Sequence, residues 1–374
     1  MVMPSRYLES VLLGENRGVF AWVIRALMWP LSLVYCGGLW VYLAAYKVGV
    51  RKRFRLGVPV ISVGNITFGG TGKTPAVQTI CRMLADQGKR VAVLSRGHGG
   101  SARGAIVASD GERIMANSTE VGDEPIMLAR TLPGVPIVVG KDRRATGMLA
   151  CSRFAPDVIV LDDGMQYWQL HRDLEIAVLD AKRPFGSGFV MPMGDLREPA
   201  SGLRRADVVL VANAREIGDA GFQALVDRVE KLSGRASVFR CAHEPVCLVN
   251  PETGESTSLR WIKGRRVLAF CGIGRPRSFL DMLDGLGAVV PRSIVFPDHY
   301  PLSGVDLQRI IYEAEACRAE AVITTEKDIA RLGTPIPITK LYALVIRLEI
   351  EESASLAQYI ANRINAQNTP APAA

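Results

Sequence analysis

Val58-Pro59-Val60-Ile61-Ser62-Val63-Gly64-Asn65-Ile66-Thr67-Phe68-Gly69-Gly70-Thr71-Gly72-Lys73-Thr74-Pro75 is the stretch from which the rest of the chain is read. Val58 to Val63 is a β-branched run, the pattern of a buried strand. Gly69, Gly70 and Gly72 then open a loop of bare backbone N–H groups, Lys73 and Thr74 follow, and helical spacing begins after Pro75. Proline suits a helix start because the N–H it lacks has no intrahelical partner there. Strand, glycine loop, Lys-Thr and helix together hold a polyphosphate. In this reading Thr67, Phe68, Gly69, Gly70, Thr71 and Gly72 wrap the phosphates of a nucleotide. Lys73 reaches the β/γ-phosphates, and the Thr74 hydroxyl ligates Mg²⁺. Thr67 stands where the first glycine of G-x-x-x-x-G-K-[ST] normally falls. A plain glycine-rich turn is the alternative, and the buried strand before the loop and the helix after it argue against that.

At 374 residues the chain has room for two domains and a sizeable core. Its net charge of +8 and pI near 9.2 favour anionic partners: nucleotides, acidic lipid or nucleic acid. The basic residues are scattered, without aromatic interleaving and without a helix-turn-helix or zinc spacing, so no nucleic-acid partner is expected. Cysteines 36, 81, 151, 241, 247, 271 and 317 contain no C-x-x-C. An odd set in mostly apolar surroundings reads as reduced core thiols of the cytosol.

From Ala26 to Tyr46 no charged residue appears. As a helix at about 1.5 Å per residue this run approaches the ~30 Å hydrocarbon thickness of a bilayer. Trp29, Trp40, Tyr42 and Tyr46 resemble interfacial aromatics, and Lys47, Arg51, Lys52, Arg53 and Arg55 follow directly. The basic cluster assigns that end, and everything after it, to the cytoplasm. The cluster follows the apolar run, which does not suit a cleaved signal peptide. Pro30, Gly37 and Gly38 interrupt a straight span, so a helix or hairpin lying in the inner leaflet stays open beside a crossing helix and a buried core helix.

Beyond the loop, strands and helices alternate: strands at Val91–Leu94, Ile106–Ala108, Ile137–Val139, Val158–Leu161, Ile176–Leu179 and Val208–Val211, with helical spacing between most of them. The fold class expected is α/β: a P-loop domain with a mostly parallel sheet, a second, smaller α/β domain, and an N-terminal membrane-associated helix. The boundaries read are an anchor at 1–50, a P-loop domain at 51–245 and a linker at 246–262. A second domain at 263–365 and a disordered tail at 366–374 complete the chain. The second domain opens with the strand Val267–Cys271 and the turn Gly272-Ile273-Gly274, which lacks the third glycine of a dinucleotide fingerprint.

Asp162 ends an apolar strand, the place where a nucleotide-binding sheet carries its Mg²⁺ aspartate, and Asp163 lies beside the same metal. An acidic turn is the alternative. Phosphoryl transfer also needs a base near the acceptor hydroxyl. Asp123, in Gly-Asp-Glu-Pro at a helix start, is one candidate and equally reads as an N-cap. His299, between Asp298 and Tyr300, is the other. His171-Arg172-Asp173 imitates a protein-kinase loop but lacks its asparagine, and reads as chance.

Val63-Gly64-Asn65-Ile66-Thr67 leading into Gly-Gly-Thr-Gly-Lys-Thr-Pro resembles the tetraacyldisaccharide 4′-kinase family, the lipid A 4′-kinases. So do Ser95-Arg96-Gly97, Gly122-Asp123-Glu124-Pro125, Asp162-Asp163-Gly164, Leu196-Arg197-Glu198-Pro199, Asp298-His299-Tyr300 and Thr324-Thr325-Glu326-Lys327-Asp328. The family also lacks the first P-loop glycine. The resemblance implies MgATP-dependent phosphorylation of the 4′-hydroxyl of a lipid A disaccharide 1-phosphate at the cytoplasmic face of a bacterial inner membrane. Inner-membrane lipid is then a partner, and no obligate protein partner is inferred. It assigns catalysis to Lys73 and to Asp123 paired with His299, and metal binding to Thr74 and Asp162 with Asp163 beside them. Glu124, Arg143 and Glu198 are the candidate substrate contacts. Two departures stand out: Met165 and Tyr167 occupy the Phe and His positions of the family's Asp-Asp-Gly-Phe-Gln-His, and His98 replaces the tyrosine of Ser-Arg-Gly-Tyr.

Two rival readings remain. One is a membrane-tethered P-loop ATPase or GTPase that drives assembly or transport, although no Asn-Lys-x-Asp guanine motif occurs. The other is a non-enzymatic membrane scaffold. The sharpest expectation is that Asp123, on the phosphate-loop domain, and His299, on the second domain, form one acid–base unit across a domain cleft.

Overall fold

The computed structural model describes residues 7, 10–16, 18–298, 300–332 and 336–365. His299 and the tail 366–374 lie outside them. In chain order the first elements are α1 (Val19–Lys47), β1 (Val60–Gly64), α2 (Lys73–Asp86), β2 (Val91–Ser95), β3 (Ile106–Ser109), α3 (Ser118–Val121) and α4 (Asp123–Thr131). Next come β4 (Ile137–Val139), α5 (Arg143–Phe154), β5 (Val158–Asp162), β6 (Leu174–Asp180), β7 (Val208–Ala212), α6 (Gly218–Ser233) and β8 (Ser237–Val249). The chain continues with β9 (Ser256–Thr257), β10 (Arg266–Cys271), α7 (Pro276–Gly285), β11 (Val289–Val295), α8 (Gly304–Ala316), β12 (Ala321–Thr325), α9 (Glu326–Arg331), β13 (Leu341–Ile350) and α10 (Ser353–Asn365). They form two compact units. The first takes residues 1–94, 143–242 and 349–374, and the second takes 95–142 and 243–348.

In the first unit the strands run in the order β8-β7-β6-β1-β5-β2, all parallel. Every residue of β1, β5, β6 and β7 is buried, as a parallel sheet covered on both faces requires. Ile66, Met165, Leu179, Val209, Val211 and Leu225 belong to one core cluster beside it. Val63 pairs with Asp162 in register, so the start of the glycine loop and the aspartate pair leave neighbouring strands side by side. Gly64 is needed there, because a Cβ would sit 2.6 Å from that of Met165. Met165 itself is fully buried, so an apolar side chain is what position 165 demands.

Helix α1 belongs to this unit and is tied to it along one side. The Ser32 hydroxyl donates to the Val190 carbonyl at 2.9 Å and accepts the Met193 N–H at 3.1 Å. The Tyr35 hydroxyl donates to the Arg197 carbonyl at 2.7 Å, and the Tyr46 ring lies against Trp168. Ala21, Arg25 and Ser32 are its buried residues. The rest of its surface is apolar and exposed: Phe20, Leu27, Trp29, Val34, Trp40 and Val41 are all more than half exposed. That removes the core-helix alternative.

In the second unit β11-β10-β12-β13 form a parallel sheet. β3 pairs antiparallel with β4, and β9 with the end of β8. Leu268, Phe270, Ile310 and Val322 pack in one cluster, and Val267, Phe279, Leu283 and Ile323 in another. The boundaries differ from those expected at 51–245 and 263–365. Residues 95–142 pack with 243–348, where the Arg130 guanidinium of α4 donates to the Ile329 carbonyl of α9 at 2.8 Å. The segment 246–262 is not a free linker: Leu248 and Ile262 are fully buried in the cluster around Val267.

Candidate active site

The phosphate loop leaves β1 and enters α2 at Lys73. Gly69 and Gly72 have φ of +99° and +88°, a left-handed backbone that side chains rarely adopt. Gly72 caps α2 without a side-chain hydrogen bond, so the first N–H groups of the helix point outward as anion donors. Asn65 secures the loop from beneath. Its Nδ2 donates to Thr71 Oγ1 at 2.9 Å, and its Oδ1 accepts Lys73 Nζ at 3.3 Å. Thr67 is buried, whereas Phe68, Gly69 and Gly70 are exposed.

The segment after the loop is stitched to residues 195–197. Phe68 N–H donates to the Asp195 carbonyl at 2.7 Å and Arg197 N–H to the Ile66 carbonyl at 2.8 Å. That pairing delivers Arg197 to the aspartates. Its Nη1 lies 2.8 Å from both carboxylate oxygens of Asp163, and its guanidinium stacks over the Phe68 ring at 5.0 Å. Lys73 Nζ approaches the same carboxylate at 3.7 Å. Burial opposes the Asp163 charge, but Lys73 and Arg197 outweigh it and hold the carboxyl below the usual carboxylate value. Asp163 reaches both cations by taking a left-handed backbone, φ +51°. The two aspartates thus differ: Asp163 is a counter-ion of Lys73 and Arg197, and Asp162 is buried at the end of β5. Thr74 sits in the first turn of α2. Hydroxyl and carboxylate oxygens are the hard donors Mg²⁺ prefers, and it takes the remaining ligands from phosphates and water, so the residues present fit it.

Two of the candidate substrate contacts, Glu198 and Arg143, are buried and held by neighbouring side chains. Glu198 is 2 % exposed, and its Oε1 accepts Arg205 Nη2 at 2.7 Å and Gln166 Nε2 at 2.8 Å. Arg143 is 4 % exposed, its N–H donates to the Tyr167 hydroxyl at 3.0 Å, and its guanidinium lies over the Tyr167 ring. Tyr167, a departure from the family pattern, therefore seats Arg143.

Asp123 opens α4 in the second unit, not in the unit that holds the phosphate loop. Gly122 before it has φ +88°, and a Cβ there would lie 2.3 Å from the His98 carbonyl oxygen. Asp123 Oδ2 accepts Arg331 Nε at 2.8 Å, and Glu124 beside it is half-buried. Asp298, next to His299 in sequence, accepts Lys327 Nζ at 2.7 Å and lies 3.7 Å from Arg331 Nη2. Asp123 and Asp298 therefore converge on one guanidinium inside one unit, and the expected placement of Asp123 opposite His299 on a different domain is corrected. Sequence reasoning assigned no role to Asn65, Arg197 or Arg331. Asn65 and Arg197 stood inside quoted motifs, and Arg331 follows Asp328 by one helical turn.

The family model for tetraacyldisaccharide-1-P 4′-kinase matches residues 24–365. A tetraacyldisaccharide 4′-kinase of Syntrophus aciditrophicus is 39% identical over 345 residues, 90% of each chain. One from Anaeromyxobacter sp. strain Fw109-5 is 44% identical over 290 residues, 78% of each. The crystal structure of the "apo" form of LpxK from Aquifex aeolicus in complex with ATP is 32% identical with a TM-score of 0.74. That match covers 91% of this chain and 99% of the other. With its phosphate loop, aspartate pair and ordered motifs in place, the chain belongs to the tetraacyldisaccharide-1-P 4′-kinase family.

Proposed function

We propose that the protein transfers the γ-phosphoryl group of ATP to the 4′-hydroxyl of tetraacyldisaccharide 1-phosphate, a step of lipid A biosynthesis. The observation that carries this reading is the loop itself, with Lys73 poised between Asn65 and Asp163 above the open N-terminus of α2. The loop N–H groups bind the phosphates, and Lys73 leaves Asp163 to neutralise charge that builds on the transferred group. Arg197, held over the Phe68 ring, supplies a second cation to the same oxygens. Thr74 and Asp162 would hold Mg²⁺, which when bound screens the phosphate oxygens. Asp123 accepts the proton of the sugar hydroxyl, with His299 as its partner in holding that proton.

The acceptor's lipid nature is matched by α1. Because its contacts with residues 168–197 of the first unit run from Ser32 and Tyr35 to Tyr46, the helix lies along that unit and turns its apolar side outward. Such a helix sits in the plane of one leaflet rather than crossing it. Arg51, Lys52, Arg53 and Arg55 directly after it favour the acidic cytoplasmic surface of the inner membrane. The test is transfer of label from γ-labelled ATP to the lipid by purified protein in detergent. Label in the lipid with wild type and none with Lys73→Ala supports the reading. Label appearing only as free phosphate contradicts it.

A further inference from the structure

The turn Gly272-Ile273-Gly274 and the α9 motif Thr324-Thr325-Glu326-Lys327-Asp328 meet at one side chain that the reaction as described does not use. The Arg331 side chain is 3 % exposed, and its nitrogens divide among four segments. Nε donates to Asp123 Oδ2 at 2.8 Å. Nη1 donates to the Gly272 carbonyl at 2.7 Å and to Asp328 Oδ1 at 3.3 Å. Nη2 faces Asp298 Oδ1 at 3.7 Å.

The surroundings are built to hold that guanidinium still. Asp328 is fully buried, accepts the Gly272 N–H at 2.9 Å, and is bonded by the Thr325 and Thr324 hydroxyls at 2.6 and 3.3 Å. Position 272 is glycine because a Cβ would lie 3.0 Å from Arg331 Nη1 and 3.2 Å from the Pro297 carbonyl. Burial pushes the Asp328 carboxyl up. A buried arginine of this kind fixes the direction of a carboxylate, since its planar fork offers donors at set angles.

We propose that Arg331 is a positioning residue for the reaction: by binding Asp123 at Nε and facing Asp298 at Nη2 from one guanidinium, it aims the Asp123 carboxylate. This rests on the reading of Asp123 as the base. Arg331 touches neither nucleotide nor lipid in this scheme, so its loss acts on kcat through Asp123. A misdirected carboxylate costs on the order of a hundredfold in rate when it is displaced by about 1 Å.

The test assays the full chain in detergent as wild type, Arg331→Gln, Arg331→Lys, Asp123→Asn and Asp123→Asn with Arg331→Gln. It follows kcat, the KM for ATP, and the melting temperature. Arg331→Gln should lower kcat about a hundredfold while the KM for ATP moves less than about threefold. Arg331→Lys keeps a cation without the fork and should recover to roughly tenfold below wild type. On the Asp123→Asn background Arg331→Gln should add no further loss, because the two act as one unit. Where Arg331→Gln fails to fold, Arg331→Lys carries the test, and a wild-type kcat in it overturns the proposal. Equal fold losses on both backgrounds overturn it as well. Wild-type kcat in Asp123→Asn alone removes the base reading and this proposal with it. An inactive Asp123→Asn beside a fully active Arg331→Gln removes only the proposal.

Discussion

Lys73 and Asp163 set the charge balance at the phosphate loop, and each gives a separate prediction. Lys73→Ala removes the cation nearest the β/γ-phosphates and should lower kcat by at least about a hundredfold with the fold intact, measured as label transfer by a folded variant. Asp163 has a folded pKa depressed by Lys73 and Arg197. A depressed carboxyl stabilises the fold at pH above its unfolded value, and the gain is lost as pH falls through the lower, folded value. Thermal melts should therefore show Asp163→Asn less stable than wild type, by a margin that holds from pH 7 to 5 and narrows only below about pH 4. A margin that stays constant on acidification would contradict the ion-pair assignment. Burial pushes the thiols of Cys241 and Cys271 up to about 12, so iodoacetamide at pH 8 should leave both unmodified in the folded protein, as peptide mapping can establish. The glycine loop entering a helix at Lys73 and the strand ending at Asp162 were legible in sequence because a local pattern defines them. The partnership of Arg197 with Asp163 was not, because it depends on pairing between residues 66–68 and 195–197 that no periodicity announces.

Helix α1 illustrates the same divide at greater length. Its apolar run is plain in the sequence, but its docking depends on Ser32 and Tyr35 reaching residues 190–197, far along the chain. Ser32→Ala strands the buried Met193 N–H and the Val190 carbonyl, at a cost of about 1–3 kcal/mol of stability in detergent melts. An unchanged melt would mean that the helix stands away from the first unit. Trp40→Glu together with Val34→Glu puts charge on the exposed side and should shift the protein from the membrane to the soluble fraction while label transfer to detergent-dispersed lipid continues. The end of β8, residues 246–249, was read as part of a linker for a comparable reason. The C-terminal half of β8 follows Pro245 with only four apolar residues, of which Leu248 alone is buried, so the packing of Leu248 is what reveals the strand.

Across the entire chain, the α/β class and the parallel order around the glycine loop follow from the alternation of apolar strands with helices. The division into units does not, because residues 95–142 leave the first unit and pack with a segment more than a hundred residues later, through contacts such as Arg130 with Ile329. Asp123 travels with that excursion. Its partner Arg331 is separated from it by 208 positions. What the account asserts of the protein as a catalyst is one bond made and one broken: the 4′-oxygen of the disaccharide gains the phosphoryl group that ADP leaves behind. Tandem mass spectrometry and phosphorus NMR of the product from purified protein, MgATP and tetraacyldisaccharide 1-phosphate test this most directly. The account predicts one added phosphate, located on the 4′-oxygen, with one ADP formed per lipid. Phosphate at another position, or ADP accumulating while the lipid stays unmodified, would contradict it.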